Sequence, residues 1–264
     1  MEQNETIRTI MQRRSTRAYA DTPIDDEKKK AIIDAARRAP TAGNMQLYSM
    51  IVVEDQELKN KLSKSCDNQP FIAKAPLVII YLADFHKLEQ LYKSSGAPGF
   101  MDKQGKKYRE PGVGELVLSI DDAIIAAQNS VIAAESFGIG SCYIGDIMEQ
   151  HDYHKELLNL PDHVFPATML CFGYPRVIPQ GEKKLLPRFG EEFVVFTDTY
   201  KQFDDTEILH LTDDTEKLYK TKGQYSTGAE NPGQHMCARK YITDYSLELQ
   251  DSFSKYLKQW KKSE

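Results

Sequence analysis

Three arginines and two aliphatic hydroxyl side chains lie within residues 13–19, which read RRSTRAY. The β-branched and aromatic residues of this segment favour an extended chain, in which alternate side chains point to the same face. Arg13, Ser15 and Arg17 would then share one face. Because a guanidinium grips phosphate oxygens with a planar fork of donors, this pattern predicts an anion clamp; a solvated basic patch is the alternative.

A turn with two amide side chains follows a predicted helix. Apolar spacing predicts that helix over Asp26–Arg38, and Pro40 ends it. Residues 41–46 (TAGNMQ) then form a turn before a β-branched run. The amides of Asn44 and Gln46 offer the donors and acceptors that a flat heterocycle with C=O and N–H groups requires. Such residues also occur in ordinary loops, so the turn alone is a weak indication.

Alternating helices and strands must position these two segments. A long helix is predicted over Glu115–Phe137, with almost no charge past Asp122, so more than one neighbour must cover it. Residues 93–114, rich in Gly, Pro and Lys, predict a mobile excursion near the active site. Buried strands are predicted from four apolar runs, Tyr48–Val53, Leu77–Leu82, Ser141–Ile144 and Ala167–Phe172.

The character of the chain changes from Tyr200 onward. A polar helix is predicted over 204–222, a loop over 223–233, and an amphipathic helix over Arg239–Trp260. The apolar stripe of the last helix must pack on another surface. We therefore divide the chain into a core of residues 1–200 and a C-terminal extension of residues 201–264.

Composition limits the classes of function. A net charge of −5 over 264 residues argues against nucleic acid as a partner. The four cysteines are dispersed without metal-ligand spacing, so we expect reduced thiols and no metal. The chain has no signal-peptide pattern, and no apolar run approaches the ~20 residues of a membrane span, so we expect a cytoplasmic protein. We expect three histidines at the surface, His151, His154 and His163.

Six short segments carry a family resemblance through their order and spacing. They are residues 13–17 (RRSTR), 39–46 (APTAGNMQ), 67–76 (DNQPFIAKAP), 138–145 (GIGSCYIG), 164–175 (VFPATMLCFGYP) and 187–188 (PR). With them the chain resembles the FMN-dependent nitroreductase superfamily, and in particular its larger NAD(P)H-dependent nitro/flavin reductases. The resemblance extends from about residue 6 to residue 200.

The resemblance implies an α+β fold with a central, mostly antiparallel sheet flanked by helices. It implies an intertwined homodimer whose C-terminal extension packs on the partner subunit. The implied activity is reduction of nitroaromatics, quinones or free flavin by a ping-pong two-electron route, with NADPH (or NADH) as donor and FMN carrying the chemistry. A reductive dehalogenase or flavin reductase of the same superfamily is an alternative, and a non-catalytic flavin-binding redox sensor is another.

The resemblance also assigns roles to individual residues, and no side chain is assigned as catalytic. The FMN phosphate and ribityl end would be held by Arg13, Arg14, Ser15, Arg17 and Arg188. The ring edge or ribityl hydroxyls would be met, from the second subunit or a neighbouring loop, by Asn44, Gln46 and Gln69. Backbone N–H groups near the isoalloxazine would come from Tyr143, Ile144 and Gly145.

Two positions depart from the pattern of the relatives. Leu186 stands where they often have lysine, so one cationic phosphate ligand is missing or displaced. Asp146 stands where they often have glycine, and we expect it to turn away from the flavin as the N-cap of the next helix. Candidate cations for the extra phosphate of NADPH are Lys220, Lys222, Arg239 and Lys240, with Lys103, Lys106, Lys107 and Arg109 as rivals.

Overall fold

An antiparallel sheet forms the centre of the computed structural model, which describes residues 4–177, 185–220 and 225–261. Its strands, within those residues, are β1 (Tyr48–Val53), β2 (Leu77–Asp84), β3 (Gly140–Ile144) and β4 (Val164–Gly173). They lie in the order β1-β2-β4-β3, and every neighbouring pair is antiparallel. The four predicted strands are confirmed, and so is the predicted α+β class with a mostly antiparallel sheet.

Helices surround this sheet, and several begin at a side chain that accepts from the first turn. Asp25 accepts from the N–H of Lys28 at 2.8 Å, and Asp55 accepts from the N–H of Leu58 at 2.6 Å. In the described residues the α-helices are α1 (Glu5–Gln12), α2 (Asp26–Arg37), α3 (Gln56–Ser65), α4 (Pro70–Ala73), α5 (His86–Ser94), α6 (Ala97–Lys103), α7 (Val113–Ser136), α8 (His151–Leu157), α9 (Asp213–Lys220), α10 (Pro232–Met236) and α11 (Asp244–Trp260).

The sheet separates two apolar layers. On one face, α7 packs on β2 and β4, α2 packs on α7, and Ile32 and Trp260 are buried in the same cluster as Tyr81. On the other face, α3 and α4 pack on the sheet, with Leu62 beside Ile80 in the second cluster. Both faces of β2 and β4 are therefore buried, which explains why their sequences are apolar without alternation.

The long helix α7 is a core element of the folded chain. By length and composition alone it could cross a membrane, contrary to the expectation that no apolar run approaches that length. It packs on α2 and β2, and the Tyr81 hydroxyl donates to Ser130 Oγ at 2.7 Å. One of its carboxylates, Asp122, is 2% exposed and is hydrogen-bonded inside the protein. Two buried polar side chains of the helix, Asp122 and Ser130, thus have hydrogen-bond partners within this fold.

Two compact units divide the chain at positions other than residue 200. One consists of Met1–Gln180 with Glu248–Glu264, and the other of Gly181–Leu247. The end of α11 belongs to the first unit because Tyr256 and Trp260 are buried in its core. The C-terminal part of the apolar stripe predicted for the last helix is therefore covered by the same chain, whereas Ile242 and Tyr245 are 64% and 38% exposed.

The prediction of three surface histidines was wrong. His151, His154 and His163 are all buried. His154 Nε2 lies 2.8 Å from Ser65 Oγ, and His163 Nδ1 lies 2.6 Å from Glu89 Oε2. Burial would raise the pKa of Glu89, but hydrogen bonds, that of His163 among them, lower it to about 2. Both partners are more than 70 residues away in sequence, so local composition could not reveal them.

The predicted irregular excursion at 93–114 contains a helix. Gly96, at φ 74°, ends α5, and Pro98 stands in the first turn of α6, where a missing N–H costs little. Residues 104–112 then run without helix or strand to α7. Gly and Pro, which suggested an irregular loop, instead mark the boundary between two helices.

Both helices predicted in the extension are interrupted. The first is a 3₁₀ turn (Glu207–Thr212) followed by α9. Residues 221–222 of that prediction, and 223–224 of the predicted loop, lie outside the described part of the chain. The second is a π-helical turn (Cys237–Tyr241) followed by α11. Ile242, at φ −106° and ψ 73°, leaves the helical region between the two. The apolar spacing continues across Ile242, so the sequence pattern could not predict this break in the helix.

Candidate functional site

The arginine segment lies extended along the edge of β3. Ser15 forms a parallel bridge with Ser141, and the Thr16 N–H donates to the Ser141 carbonyl at 2.8 Å. Farther along, the Ala20 N–H donates to the Tyr174 carbonyl at 2.8 Å. The segment therefore adds an irregular edge strand to the sheet, and its predicted extended conformation is confirmed.

Two glycines make room for this segment. Gly140 and Gly173 face each other across the β3–β4 pair. A Cβ on Gly140 would lie 2.2 Å from Thr16 Oγ1, and one on Gly173 would lie 2.5 Å from Tyr19 Cδ1. Such approaches are far inside van der Waals contact, so a side chain at either position would displace the segment from β3.

Arg13, Ser15 and Arg17 surround one residue of β3, Cys142. Burial raises the pKa of the Cys142 thiol, and the charge of Arg17, hydrogen bonds from Ser15 and Arg17, and the charge of Arg13 oppose that rise. Burial also raises the pKa of Tyr143 to about 12, against the nearby charge of Arg13. The three side chains that were predicted to share a face are thus neighbours at β3.

The chemistry of this group suits a phosphate. Among the described residues no carboxylate lies within 4.0 Å of the guanidinium groups of Arg13, Arg14 or Arg17. Next to them the Ser141 hydroxyl is buried without a hydrogen-bond partner in the same part of the chain. Unpaired guanidinium groups beside hydroxyl donors match the oxygens of a phosphate monoester. The residues present therefore fit the phosphate end of FMN, and we call them the arginine clamp (Arg13, Arg14, Ser15 and Arg17).

The turn that carries the two candidate amides has an unusual backbone. Gly43, Asn44 and Gln46 have φ values of 54°, 57° and 53°. A residue other than glycine in this left-handed region costs about 1–3 kcal/mol and persists only where its surroundings hold it. The side chains of Asn44 and Gln46 are exposed, so the structure presents both amides outward from a strained loop.

Asp122 of α7 holds that loop at both ends. Its Oδ1 accepts from the N–H of Ala42 and its Oδ2 accepts from the N–H of Leu47, each at 2.9 Å. Because the carboxylate is almost fully buried, each oxygen is committed to one backbone donor. Asp122 therefore fixes the conformation of residues 42–47, a role that its position in an apolar helix did not reveal.

We expect Asp122→Asn to destabilise the protein by about 1–3 kcal/mol, because one of two buried N–H groups loses its acceptor. The strained loop would relax, and FMN retention would fall with it. Urea unfolding and the flavin content of the purified protein measure the two effects. The control is Asp121→Asn at the exposed neighbouring position, which should resemble the wild type. Equal stability of the two variants would contradict the role of Asp122.

Gln69 is joined to the turn that follows β3. Its Nε2 donates to the Cys66 carbonyl at 3.0 Å and to Asp146 Oδ2 at 3.1 Å. The expectation that Asp146 caps the next helix was wrong, since Asp146 begins a 3₁₀ turn (Asp146–Met148) and Gln150 is the N-cap residue of α8. The Asp146 carboxylate is instead oriented by the hydrogen bond from Gln69. These two residues are 77 positions apart, so local sequence could not predict the bond.

Glu149 is a buried acid at the end of this turn. It is 4% exposed, and its Oε1 has no hydrogen-bond partner among the described residues. Burial, with added repulsion from Asp146, Glu248 and Asp67, raises the pKa of Glu149 to about 8. At neutral pH the folded protein therefore keeps this side chain largely protonated, next to the carboxylate that Gln69 orients.

This pKa predicts a loss of stability as the pH rises. Unfolded Glu149 ionises near pH 4.3 and folded Glu149 near pH 8, so between these values only the folded state retains the proton. The contribution of protonated Glu149 to the free energy of unfolding is fully present below about pH 4.3 and is lost as the pH rises through 8. We expect Glu149→Gln to unfold at a higher urea concentration than the wild type at pH 8.5. At pH 5 the difference between the two midpoints should be smaller. The control is Glu57→Gln at an exposed position, where the effect of the substitution on stability should not vary over this pH range. The same lack of pH dependence in Glu149→Gln would contradict the raised pKa of Glu149.

The structure groups part of the predicted site around β3. The arginine clamp lies beside Cys142 and Tyr143, and Gln69 reaches the turn that starts at Gly145. Gly145 has ordinary helical angles (φ −78°, ψ −26°), so its backbone does not require glycine. Ile144 is buried in the second apolar layer, which leaves its main chain as the group available to a ligand.

Other predicted residues lie elsewhere. Asn44 and Gln46 stand on the loop that α7 anchors. Arg188 belongs to the second unit, where it lines a cavity of about 180 Å³ with His210 and Lys217. Of the cations considered for NADPH, Lys222 and the side chain of Lys220 lie outside the described residues.

Comparison with known proteins gives consistent matches over most of the chain. The model of the Nitroreductase family matches residues 10–174. The FMN reductase (NADPH) of Bacillus subtilis is 35% identical over 199 residues, 75% of each chain. The oxygen-insensitive NADPH nitroreductase of Salmonella typhimurium is 31% identical over 219 residues, 83% of this chain and 84% of that protein. The solved structure of B. megaterium NfrA2 matches with a TM-score of 0.80 and 30% identity, covering 99% of this chain and 100% of that one.

Proposed function

The chain belongs to the nitroreductase family, and on that premise we propose that the arginine clamp and the β3 turn hold its FMN. The protein is an NAD(P)H-dependent flavin oxidoreductase. The observation that carries the proposal for the site is the set of guanidinium groups without carboxylate partners beside β3. A buried orphan hydroxyl, Ser141, stands next to them.

FMN supplies two-electron redox chemistry when it is bound, so this chain has to bind, orient and shield it. Arg13, Ser15 and Arg17 bind the phosphate through charge-assisted hydrogen bonds. Gln69, held by Asp146, and the main chain of 143–145 meet the ring system. The assignment of Arg188, a residue of the second unit, to the same phosphate stays a prediction of the family resemblance.

Free FMN and nitroaromatics are the acceptors that the relatives' names favour. Quinones share the flat, electrophilic character of nitroaromatics, and we include them in the proposal. NADPH is the donor, with NADH as the second choice. We also propose a cytoplasmic location.

A homodimer completes the site in this proposal, and an apolar stripe on α7 supports it. Val117 and Ile124, one heptad apart, are 52% and 37% exposed, and Ile125 is 39% exposed. Helix α1, which packs on α7, exposes Ile10 and Met11. Contiguous exposed apolar residues of this kind mark an association surface. The partner then supplies the Asn44–Gln46 loop, and the extension before Glu248 packs on the partner subunit.

Steady-state kinetics with a panel of acceptors test the function. Without oxygen, the FMN-loaded protein should oxidise more than one equivalent of NADPH per bound FMN only when nitrofurazone, menadione or free FMN is present. Double-reciprocal plots at several acceptor concentrations should be parallel, as a ping-pong route requires. Failure of all three acceptors to stimulate NADPH oxidation would contradict the proposal.

A further inference from the structure

A cavity of about 330 Å³ lies in the first unit between the end of β2 and the start of α7. One wall is aromatic: Phe85 and Tyr92 meet edge to face with ring centroids 6.3 Å apart, and Tyr108 adds a third ring. Met101 of α6 contributes a polarisable thioether. The helix α6, found where an irregular excursion was expected, builds one side of this cavity.

Three cationic side chains line the same cavity, and only one of them is paired with a carboxylate of this region. Arg109 is committed to Glu115 through two hydrogen bonds, of which the one from Nη1 to Oε2 measures 2.9 Å. This pairing lowers the pKa of Glu115 to about 2. Lys106 and Lys107 also line the cavity, and neither has a carboxylate within 4.0 Å in the described part of the chain. The lining therefore carries uncompensated positive charge.

The neighbouring acids are engaged with other groups. Lys93 bridges Glu89 and Glu110, with 3.5 Å to Glu110, and Glu89 also binds His163. These pairs leave Lys106 and Lys107 as the charges available to a ligand. Aromatic rings favour stacking with a flat ring, and ammonium groups favour an anion. Both chemistries meet in one concave space at the lower end of the size range of ligand pockets.

We propose that this cavity binds a planar aromatic anion, with the ring among Phe85, Tyr92 and Tyr108 and the anionic group at Lys106 and Lys107. The lining of this cavity includes no residue of the arginine clamp. The nucleotide outcome rests on the proposed function and deepens it, because an adenosine that carries phosphate is one end of NADPH. Two kinds of molecule share this chemistry. One is an aromatic carboxylate and the other is an adenosine that carries phosphate.

Isothermal titration of the FMN-loaded full-length protein at low salt tests the site. The probes are 4-nitrobenzoate and adenosine 2′,5′-bisphosphate, with the neutral analogues 4-nitrobenzamide and adenosine. We expect Lys106→Gln/Lys107→Gln to weaken binding of at least one anionic probe tenfold or more. The control, Lys103→Gln/Lys64→Gln, removes two exposed lysines that do not line the cavity, and binding should change less than twofold.

A ring variant separates stacking from charge. Tyr108→Leu should weaken the same anionic probe and leave the weak binding of inorganic phosphate unchanged. The probe that binds identifies the source: the nitrobenzoate indicates an aromatic carboxylate, and the bisphosphate indicates a nucleotide. No binding of either anion, an unchanged affinity in the Lys106/Lys107 variant, or an equal loss for the neutral analogues would overturn the proposal. Because titration needs no turnover, these outcomes are independent of the NADPH oxidation assay.

Discussion

The double variant Arg13→Ala/Arg17→Ala is expected to purify colourless, without FMN. Each charge-assisted contact to a phosphate contributes about 1.5–3 kcal/mol, so the loss of two corresponds to a roughly hundredfold or greater fall in affinity. Flavin absorbance per mole of purified protein measures the effect. Arg188→Ala should weaken FMN retention by roughly tenfold to a hundredfold for the same reason.

The matched control for charge is Arg8→Ala/Arg38→Ala, which removes two exposed arginines outside the clamp. It should keep the flavin content of the wild type. Circular dichroism and thermal unfolding of both double variants would establish that the fold is retained. A clamp variant that carries as much FMN as the control would refute the assignment of Arg13 and Arg17 to the phosphate.

Charge on the exposed stripe of α7 should separate the proposed dimer. Val117 and Ile124 lie on one face of the helix, and an interface that completes a core buries roughly 2,000 Å² or more. Lysine at both positions would bury two unpaired charges there, which costs several kcal/mol. Light scattering should then give the mass of one 30.1 kDa chain, and FMN should be lost with the partner's loop.

Leu91→Lys serves as the matched control, because Leu91 is an apolar residue of α5 that is 57% exposed and lies outside the stripe. It should remain dimeric. A wild-type protein that is a fully active monomer, or a Val117→Lys/Ile124→Lys variant that remains a flavin-loaded dimer, would contradict the proposed interface.

The strands could be predicted because burial on both faces leaves uninterrupted apolar runs, as in β2 and β4. The extended conformation of residues 13–19 could be predicted because alternation in an extended chain depends on neighbouring residues alone. Asp122 could not, since its two acceptor bonds reach backbone groups 75 and 80 residues away. The same limit applies to the buried histidines. Their polar partners are contacts of the folded chain and leave no local pattern in the sequence.

The glycine pair illustrates the same limit in another form. Gly140 was part of the resembling segment 138–145, and Gly173 was part of the segment before Pro175. Both glycines leave space for the arginine segment. They can do so because the register of β3 against β4 places them opposite each other, next to Thr16 and Tyr19. The sequence pattern included both glycines. The packing of the arginine segment against the sheet explains why neither position has room for a side chain.

The most direct test of the central claim is an anaerobic spectrum of the purified, FMN-loaded protein. Absorbance in the flavin band should bleach when NADPH is added and recover when a nitroaromatic compound is added afterwards, over repeated cycles. This result would establish that the bound FMN passes electrons from the nicotinamide to the acceptor. A protein that stays yellow after NADPH and NADH, or that bleaches and does not recover with any acceptor, would contradict the account.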